Sequence, residues 1–156
     1  MNNEAHKGTK IKMRNCSEEM LEEMYKNINM VKEAILNALS KVKDFDLSSE
    51  LTSQLREYCS FSEKISVFLE RCGTDARSGI FSKITSKIST ELNTLVDSTD
   101  QHIAQLMIEN TTICITDIIR LVRDYENSNC SECTLSLARS IVSYQEDAVE
   151  KLKSHL

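Results

Sequence analysis

The sequence predicts an all-α fold, a bundle built from four long helices. The 156-residue chain contains no proline and three glycines, where an average chain of this length has roughly eight prolines and about eleven glycines. Sandwiches, barrels and α/β folds need many tight turns, so this composition disfavours them. From Ser17 onward, apolar residues recur every three or four positions, which is the periodicity of an amphipathic helix.

The first two helices are predicted to form an antiparallel hairpin. Helix 1 begins with Ser17 as its N-cap and runs to about Lys43, with glutamates in its first turn, where the helix dipole favours anions. A short acidic turn leads to helix 2, from about Leu47 to Cys72, and Gly73 suits the position after the helix because it can take a positive φ. Two helices joined by so short a turn pack antiparallel.

Residues 75–126 contain the one ambiguous boundary. A single helix of about 50 residues would be about 75 Å long, far longer than its neighbours. The apolar stripe pauses at 97–101, where Ser98 and the glutamine three residues later have capping-box spacing. We therefore predict a shorter helical crossover segment before this break and a third long helix from about Thr99 to Tyr125. One continuous helix over the whole region remains the alternative.

A fourth helix is predicted from Ser131 to the C-terminus. Four long helices with a long connection between the second and third have the ferritin-like arrangement. The stretches at 18–27, 92–95 and 102–107 resemble small, uncharacterised bacterial proteins with a ferritin-like bundle. The resemblance covers most of the chain after residue 16. It implies a ferritin-like up-down four-helix bundle with a helical crossover between helices 2 and 3, and a metal-binding ancestry.

Charge and hydropathy limit the partners. Residues 1–16 are predicted to be a disordered basic tail, and residues 17–156 a single helical-bundle domain. The net charge of −5 gives no basic field for nucleic acid. No apolar run reaches the roughly 18 residues of a membrane span. Without a secretion signal, we expect a cytoplasmic protein, and we leave a homo-oligomer open.

A metal centre between the helices is the first candidate site. A ferritin-type di-iron centre uses two Glu-x-x-His motifs, and this chain has none. His102, and Glu109 two turns further along the same face, are the candidate iron ligands. The alternatives are that both lie at a solvated edge of the stripe, or that a buried hydrogen-bonded layer forms without metal. That layer would combine His102 and Glu109 with inward polar residues, namely Ser62, Gln145 and one of Tyr25 and Tyr58.

The six cysteines supply the second candidate site. Because no secretion signal precedes a sizeable core, we expect thiols rather than disulfides. In a bundle with a long crossover, four of them lie at one end: Cys16, Cys72, Cys130 and Cys133. They could form a tetrahedral zinc site, and Cys130 and Cys133 have Cys-x-x-Cys spacing. The alternatives are separate thiols or a redox pair. The remaining two, Cys59 and Cys114, fall on apolar stripes and are predicted to be core thiols.

The motifs of common enzymes do not occur in this sequence. It lacks a glycine-rich phosphate loop, Gly-x-Ser-x-Gly, His-Glu-x-x-His and an EF-hand loop. We therefore predict a non-catalytic helical bundle that acts as a structural or interaction module. The alternative is a metal-binding or metal-storage protein that uses the His/Glu layer or the four-cysteine site. A third hypothesis is an adaptor that binds through the crossover segment.

Overall fold

The computed structural model describes residues 15–73, 91–92 and 99–156. Within these ranges the chain forms four long helices and no strand, so the predicted all-α, four-helix fold is confirmed. The predicted crossover segment falls mostly outside the described residues, although Glu91 and Leu92 are helical and Leu92 is buried. The long helices are α1 (Cys16–Leu39), α2 (Phe45–Arg71), α3 (Asp100–Tyr125) and α4 (Glu132–Lys153).

A short turn joins α1 and α2 into the predicted hairpin. The carbonyl of Ala38 accepts hydrogen bonds from the backbone N–H groups of Lys41 and Val42, which closes the end of α1. Asp44 is the N-cap of α2, and its carboxylate accepts a 2.7 Å hydrogen bond from the backbone N–H of Leu47. The turn leaves the two helices packed against each other along their length.

Helix α3 packs antiparallel to α1. The hydroxyl of Tyr125, at the end of α3, donates a 3.2 Å hydrogen bond to Glu19 near the start of α1. At the opposite end of the bundle, the backbone N–H of Lys43 donates to the carboxylate of Asp100 at 2.8 Å. Because α1 and α2 form a hairpin, the end of α2 and the start of α3 therefore lie at opposite ends of the bundle.

Helix α4 returns beside α3 and completes the bundle. The backbone N–H of Ser131, its N-cap, donates a 2.9 Å hydrogen bond to the hydroxyl of Ser17 on α1. Helix α4 thus runs parallel to α1 and antiparallel to α3, and it also packs on α2. In cross-section the four helices lie at the corners of a square, in which α1 is the neighbour of α2 and α3, and α4 is the neighbour of α3 and α2.

The core lies along the axis of this square. Each helix contributes the apolar stripe that its periodicity predicted, and Leu92 joins the same cluster. The largest fully buried apolar side chains are Met20, Leu21, Met24, Ile28, Ile35, Leu47, Leu51, Ile65, Leu69, Leu92 and Ile103. No helix among the described residues combines the length and apolar character needed to cross a membrane.

Two helix starts differ from the sequence prediction by one or two residues. Asn15, rather than Ser17, caps α1, and its side chain accepts from the backbone N–H of Ser17. The hydroxyl of Ser17 is instead used in the contact with α4. Thr99, one residue after the predicted Ser98, caps α3 and accepts from the backbone N–H of His102. The predicted break before the third helix is therefore confirmed.

The glycine after α2 is the position where positive φ is required. Cys72 is the C-cap of α2, and Gly73 follows with a φ of 80°. Its backbone N–H donates to the carbonyl of Glu70 at 2.9 Å. A residue with a Cβ is disfavoured in this left-handed conformation, so the prediction that Gly73 follows helix 2 with a positive φ is confirmed.

Candidate functional site

Polar side chains from all four helices meet in the middle of the bundle. They interrupt the apolar stripes at inward positions, and each is at most 5% exposed. We call this set the polar layer: Asn27 on α1, Gln54 and Tyr58 on α2, Asn110 and Thr111 on α3, and Gln145 on α4. Buried polar groups of this kind either form a hydrogen-bonded network or destabilise the fold.

Side-chain amides connect the helices within the polar layer. The amide of Asn27 donates a 3.0 Å hydrogen bond to the backbone carbonyl of Cys114 on α3. Its oxygen accepts a 3.2 Å bond from the amide of Gln145 on α4. Gln54 donates across from α2 to the backbone carbonyl of Ala148 at 3.4 Å. Asn27 therefore links α1 to both α3 and α4.

Several polar atoms of the layer have no hydrogen-bond partner among the described residues. They are the oxygens of Gln54, Tyr58, Thr111 and Gln145, and both polar atoms of the Asn110 amide. The Tyr58 hydroxyl lies near Thr111 and Gln145 but forms no well-directed hydrogen bond with either. Neutral donors and acceptors of this type suit water or another small uncharged polar molecule.

Burial keeps the ionisable members of this region neutral. Burial is the largest cause that raises the pKa of Tyr58 above its usual value, and Tyr144 and Cys114 add to it. The Tyr144 ring meets that of Tyr58 edge-on, with centroids 5.5 Å apart. Burial, followed by the nearby Asp117 carboxylate, raises the pKa of the Cys114 thiol to about 12. The polar layer consequently carries no charge at neutral pH.

A charged groove reaches the polar layer from outside. It lies between α1 and α3, encloses about 350 Å³ and has Asn27 among its lining residues. Its rim carries two ion pairs, Lys26 with Glu23 at 2.6 Å and Arg120 with Asp117 at 3.8 Å, whose side chains are between 43% and 70% exposed. Pairs so exposed contribute little to the stability of the fold.

The two predicted iron ligands do not both face the interior. Glu109 is exposed, and its carboxylate accepts a 3.0 Å hydrogen bond from the side chain of Gln105 one turn earlier. His102 is half-buried in the first turn of α3. Of the other predicted layer members, Ser62, Tyr58, Tyr25 and Gln145 are buried. Within the described ranges, no three His, Cys, Asp or Glu side chains lie close enough together to hold a metal ion.

The cysteines differ from the sequence prediction in one respect. Cys16 and Cys130 form a disulfide, with Cα atoms 5.5 Å apart, so the expectation that all six are thiols is wrong. The hydrogen bond from the backbone N–H of Ser131 to the hydroxyl of Ser17 lies one residue from each of these cysteines. Cys133 lies in the first turn of α4 as an exposed free thiol, and half-buried Cys72 ends α2 at the same end of the bundle.

The two predicted core thiols are both free, but they differ in burial. Cys114 is fully buried beside the polar layer, whereas Cys59 is half-buried on α2.

Sequence reasoning missed four members of the polar layer, namely Thr111 and the three amides Asn27, Asn110 and Gln54. Each occupies an inward position of a helical stripe; Asn110, for example, follows Met107 by three residues and precedes Cys114 by four. For the three amides, the feature of the sequence that could have predicted the layer was an amide side chain at an inward position of an apolar stripe. Such an amide does not indicate a metal site, because neutral amides are weak ligands for the transition metals that ferritin-like centres use.

Comparisons of the chain with protein-family models, with curated proteins and with solved structures find no match.

Proposed function

We propose that this protein is a non-catalytic helical bundle that acts as a structural or interaction module. The observation that carries the proposal is the chemistry of the polar layer, which consists of amides and hydroxyls where a bundle metal centre has carboxylates and imidazoles. Its hydrogen bonds connect α1, α3 and α4 and fix how these helices pack. Buried polar networks of this kind can specify one packing arrangement.

We also propose that the bundle is of the ferritin-like type. The supporting observation is that α2 ends and α3 begins at opposite ends of the bundle, so that the connection between them has to cover its length. The helix order around the bundle, with α1 between α2 and α3, is in keeping with two hairpins joined by one crossover.

The outer surface supports an interaction role for the bundle. Ile113 and Ile119 on α3 are 50% and 40% exposed. Ile119 borders a shallow groove of about 190 Å³ between α3 and α4, together with Val122 and Val142. Exposed apolar side chains beside a groove are a common feature of protein-binding surfaces. The homo-oligomer stays a prediction, and analytical ultracentrifugation of the full chain would measure its oligomeric state.

A metal-binding role at the four cysteines is the alternative function, although their side chains are not grouped closely enough in the described part of the chain to hold a metal ion. Cys16, Cys130 and Cys133 lie at one corner, and Cys72 lies at the same end of the bundle. Since a disulfide does not supply thiolates, only the reduced chain could use all four as zinc ligands. The predicted cytoplasmic location would keep them reduced, but the disulfide weighs against that location because disulfides persist mainly in oxidising compartments.

Metal-linked stability distinguishes the two functions. The experiment measures the thermal unfolding of the full chain with and without Mn²⁺ or Zn²⁺, in a Cys133→Ser background that removes the exposed thiol. A metal at 100 times its dissociation constant would stabilise the native state by about 2.7 kcal/mol. We expect an unchanged midpoint. A rise in the midpoint that disappears in the matched His102→Ala variant would reject the non-catalytic module.

Zinc binding by the reduced chain tests the four-cysteine site separately. The full chain with all its native cysteines is reduced, freed of reductant and titrated with Zn²⁺ under anaerobic conditions. One tightly bound zinc ion that is lost in Cys72→Ser would support the alternative function. Weak binding that is the same in the wild-type chain and in Cys72→Ser would reject it.

A further inference from the structure

The disulfide and a free thiol share one corner of the bundle. Cys130 lies immediately before Ser131, the N-cap of α4, and Cys133 is the second residue of that helix. Cys133 is exposed, whereas the other three free cysteines are half-buried or fully buried. We call Cys16, Cys130 and Cys133 the cysteine corner. It places an accessible nucleophile three residues from one sulfur of an existing disulfide.

Contacts other than the disulfide also hold this corner together. The backbone N–H of Ser131 donates to the hydroxyl of Ser17 at 2.9 Å, one residue from each bridged cysteine. The hydroxyl of Tyr125 donates to the carboxylate of Glu19 at 3.2 Å. Because these bonds do not involve sulfur, the start of α1 can stay beside the start of α4 when the disulfide changes partners.

We propose that Cys133 is a resolving thiol that exchanges with the Cys16–Cys130 disulfide. The Cys133 thiolate attacks the Sγ of Cys130, the Cys130–Cys133 bond forms, and the Cys16–Cys130 bond breaks. Cys16 leaves as a thiolate and takes up the proton that Cys133 lost. One disulfide and one thiol are present before and after the step, so no oxidant or reductant is consumed. Exchange through a thiolate at a disulfide sulfur is the general route for such reactions.

The Cys133 thiolate attacks Cys130 rather than Cys16 because Cys130 lies three residues before it in the sequence. Cys130 and Cys133 have the Cys-x-x-Cys spacing at a helix start, which suits a disulfide closed within one turn. Attack at Cys130 releases the covalent link between α1 and α4. The exchange thus converts a bundle tied at this corner into one held there by hydrogen bonds, which is a function beyond the proposed structural module.

Peptide mapping tests the exchange in the native protein. The full chain is incubated without reductant at pH 8.5, where an ordinary thiol is about half ionised, then quenched in acid, alkylated and digested with trypsin. Cleavage after arginine and lysine places Cys16 in the peptide 15–26 and both Cys130 and Cys133 in the peptide 124–139. The native disulfide links these two peptides.

The expected result is a time-dependent second species. It contains an internally linked, unalkylated peptide 124–139 and a separate peptide 15–26 that is alkylated at Cys16. The Cys133→Ser variant should give only the native linkage, while the matched Cys72→Ser variant should behave like the wild-type chain. If the wild-type chain gives only linked peptides 15–26 and 124–139 at all times, the proposal is overturned.

A second variant tests whether Cys130 and Cys133 can pair at all. Cys16→Ser protein, shown to be helical by circular dichroism, is treated with oxidised glutathione. We expect an intramolecular Cys130–Cys133 disulfide. Stable glutathione adducts on both cysteines, with no internal disulfide, would contradict the proposed exchange.

Discussion

Loss of the Cys16–Cys130 disulfide should destabilise the bundle by a predictable amount. The bridge joins residues 114 positions apart, so it restricts the unfolded chain over most of its length. The chain-entropy relation gives about 2.1 plus 1.5R ln(114), or roughly 16 cal/mol/K, which corresponds to about 5 kcal/mol at 25 °C. For a chain of 156 residues this lowers the unfolding midpoint by roughly 10–20 °C.

The assay is chemical and thermal unfolding followed by circular dichroism. It compares the wild-type chain with the Cys16→Ala/Cys130→Ala variant, each with and without a phosphine reductant. We expect the reductant to lower the stability of the wild-type chain to that of the double variant and to leave the double variant unchanged. The matched control is Cys72→Ser, which removes a free thiol that belongs neither to the bridge nor to the cysteine corner and should keep the loss of stability on reduction. Equal stability of the oxidised wild type and the double variant would refute the reasoning.

Three further predictions follow from the polar layer and the helix ends. Asn27→Leu should lower the free energy of unfolding in urea by about 1–3 kcal/mol because it removes the partner of Gln145. The double variant Asn27→Leu/Gln145→Leu should lose less stability than the sum of the two single variants. If the losses in this double-mutant cycle are strictly additive, the two amides do not interact. Because the folded pKa of Cys114 is raised to about 12, the native state keeps a proton that the unfolded state loses above about pH 8.5, so this thiol should lower the stability by up to about 1.4 kcal/mol per pH unit above that pH; the measurement is urea unfolding between pH 8 and about pH 9.5, below the range in which unfolded tyrosines ionise, and a Cys114→Ala variant with the same slope as the wild type would count against this origin. Thr99→Ala should lower the stability by about 1 kcal/mol because it removes the capping hydrogen bond from the N–H of His102. Ser131→Ala should lower it less, because the Ser131 side chain makes no capping bond. A larger loss of thermal stability in Ser131→Ala than in Thr99→Ala would contradict the assigned caps.

The helices were predictable because their signal is local. The spacing of apolar residues decides which face is buried, and most members of each predicted stripe lie in or against the core. Ile113, on the predicted stripe of the third helix, is an exception because it is 50% exposed. The helix starts were less certain because several good capping residues occur together. Asn15 caps α1 because the Ser17 hydroxyl is used instead by the N–H of Ser131, a contact between residues far apart in the chain that local spacing does not show.

The candidate sites were predictable only in part. Gln145 and Tyr58 were expected at inward positions and are buried there. Glu109 was a candidate ligand because it lies near the same stripe, but the adjacent Asn110 takes the inward position, and one residue along a helix is a rotation of about 100°. The convergence of Cys16 and Cys130 follows from the topology, whereas their oxidation to a disulfide depends on a distance that the sequence does not supply.

The metal content of the native protein tests the central claim most directly. The full chain is purified without added metal or chelator and analysed for iron, manganese and zinc by mass spectrometry. If the polar layer is a neutral structural element, the content of each metal should be far below one ion per chain and the same in the wild type and in Gln145→Ala. One ion per chain in the wild type that is lost in Gln145→Ala would contradict the account.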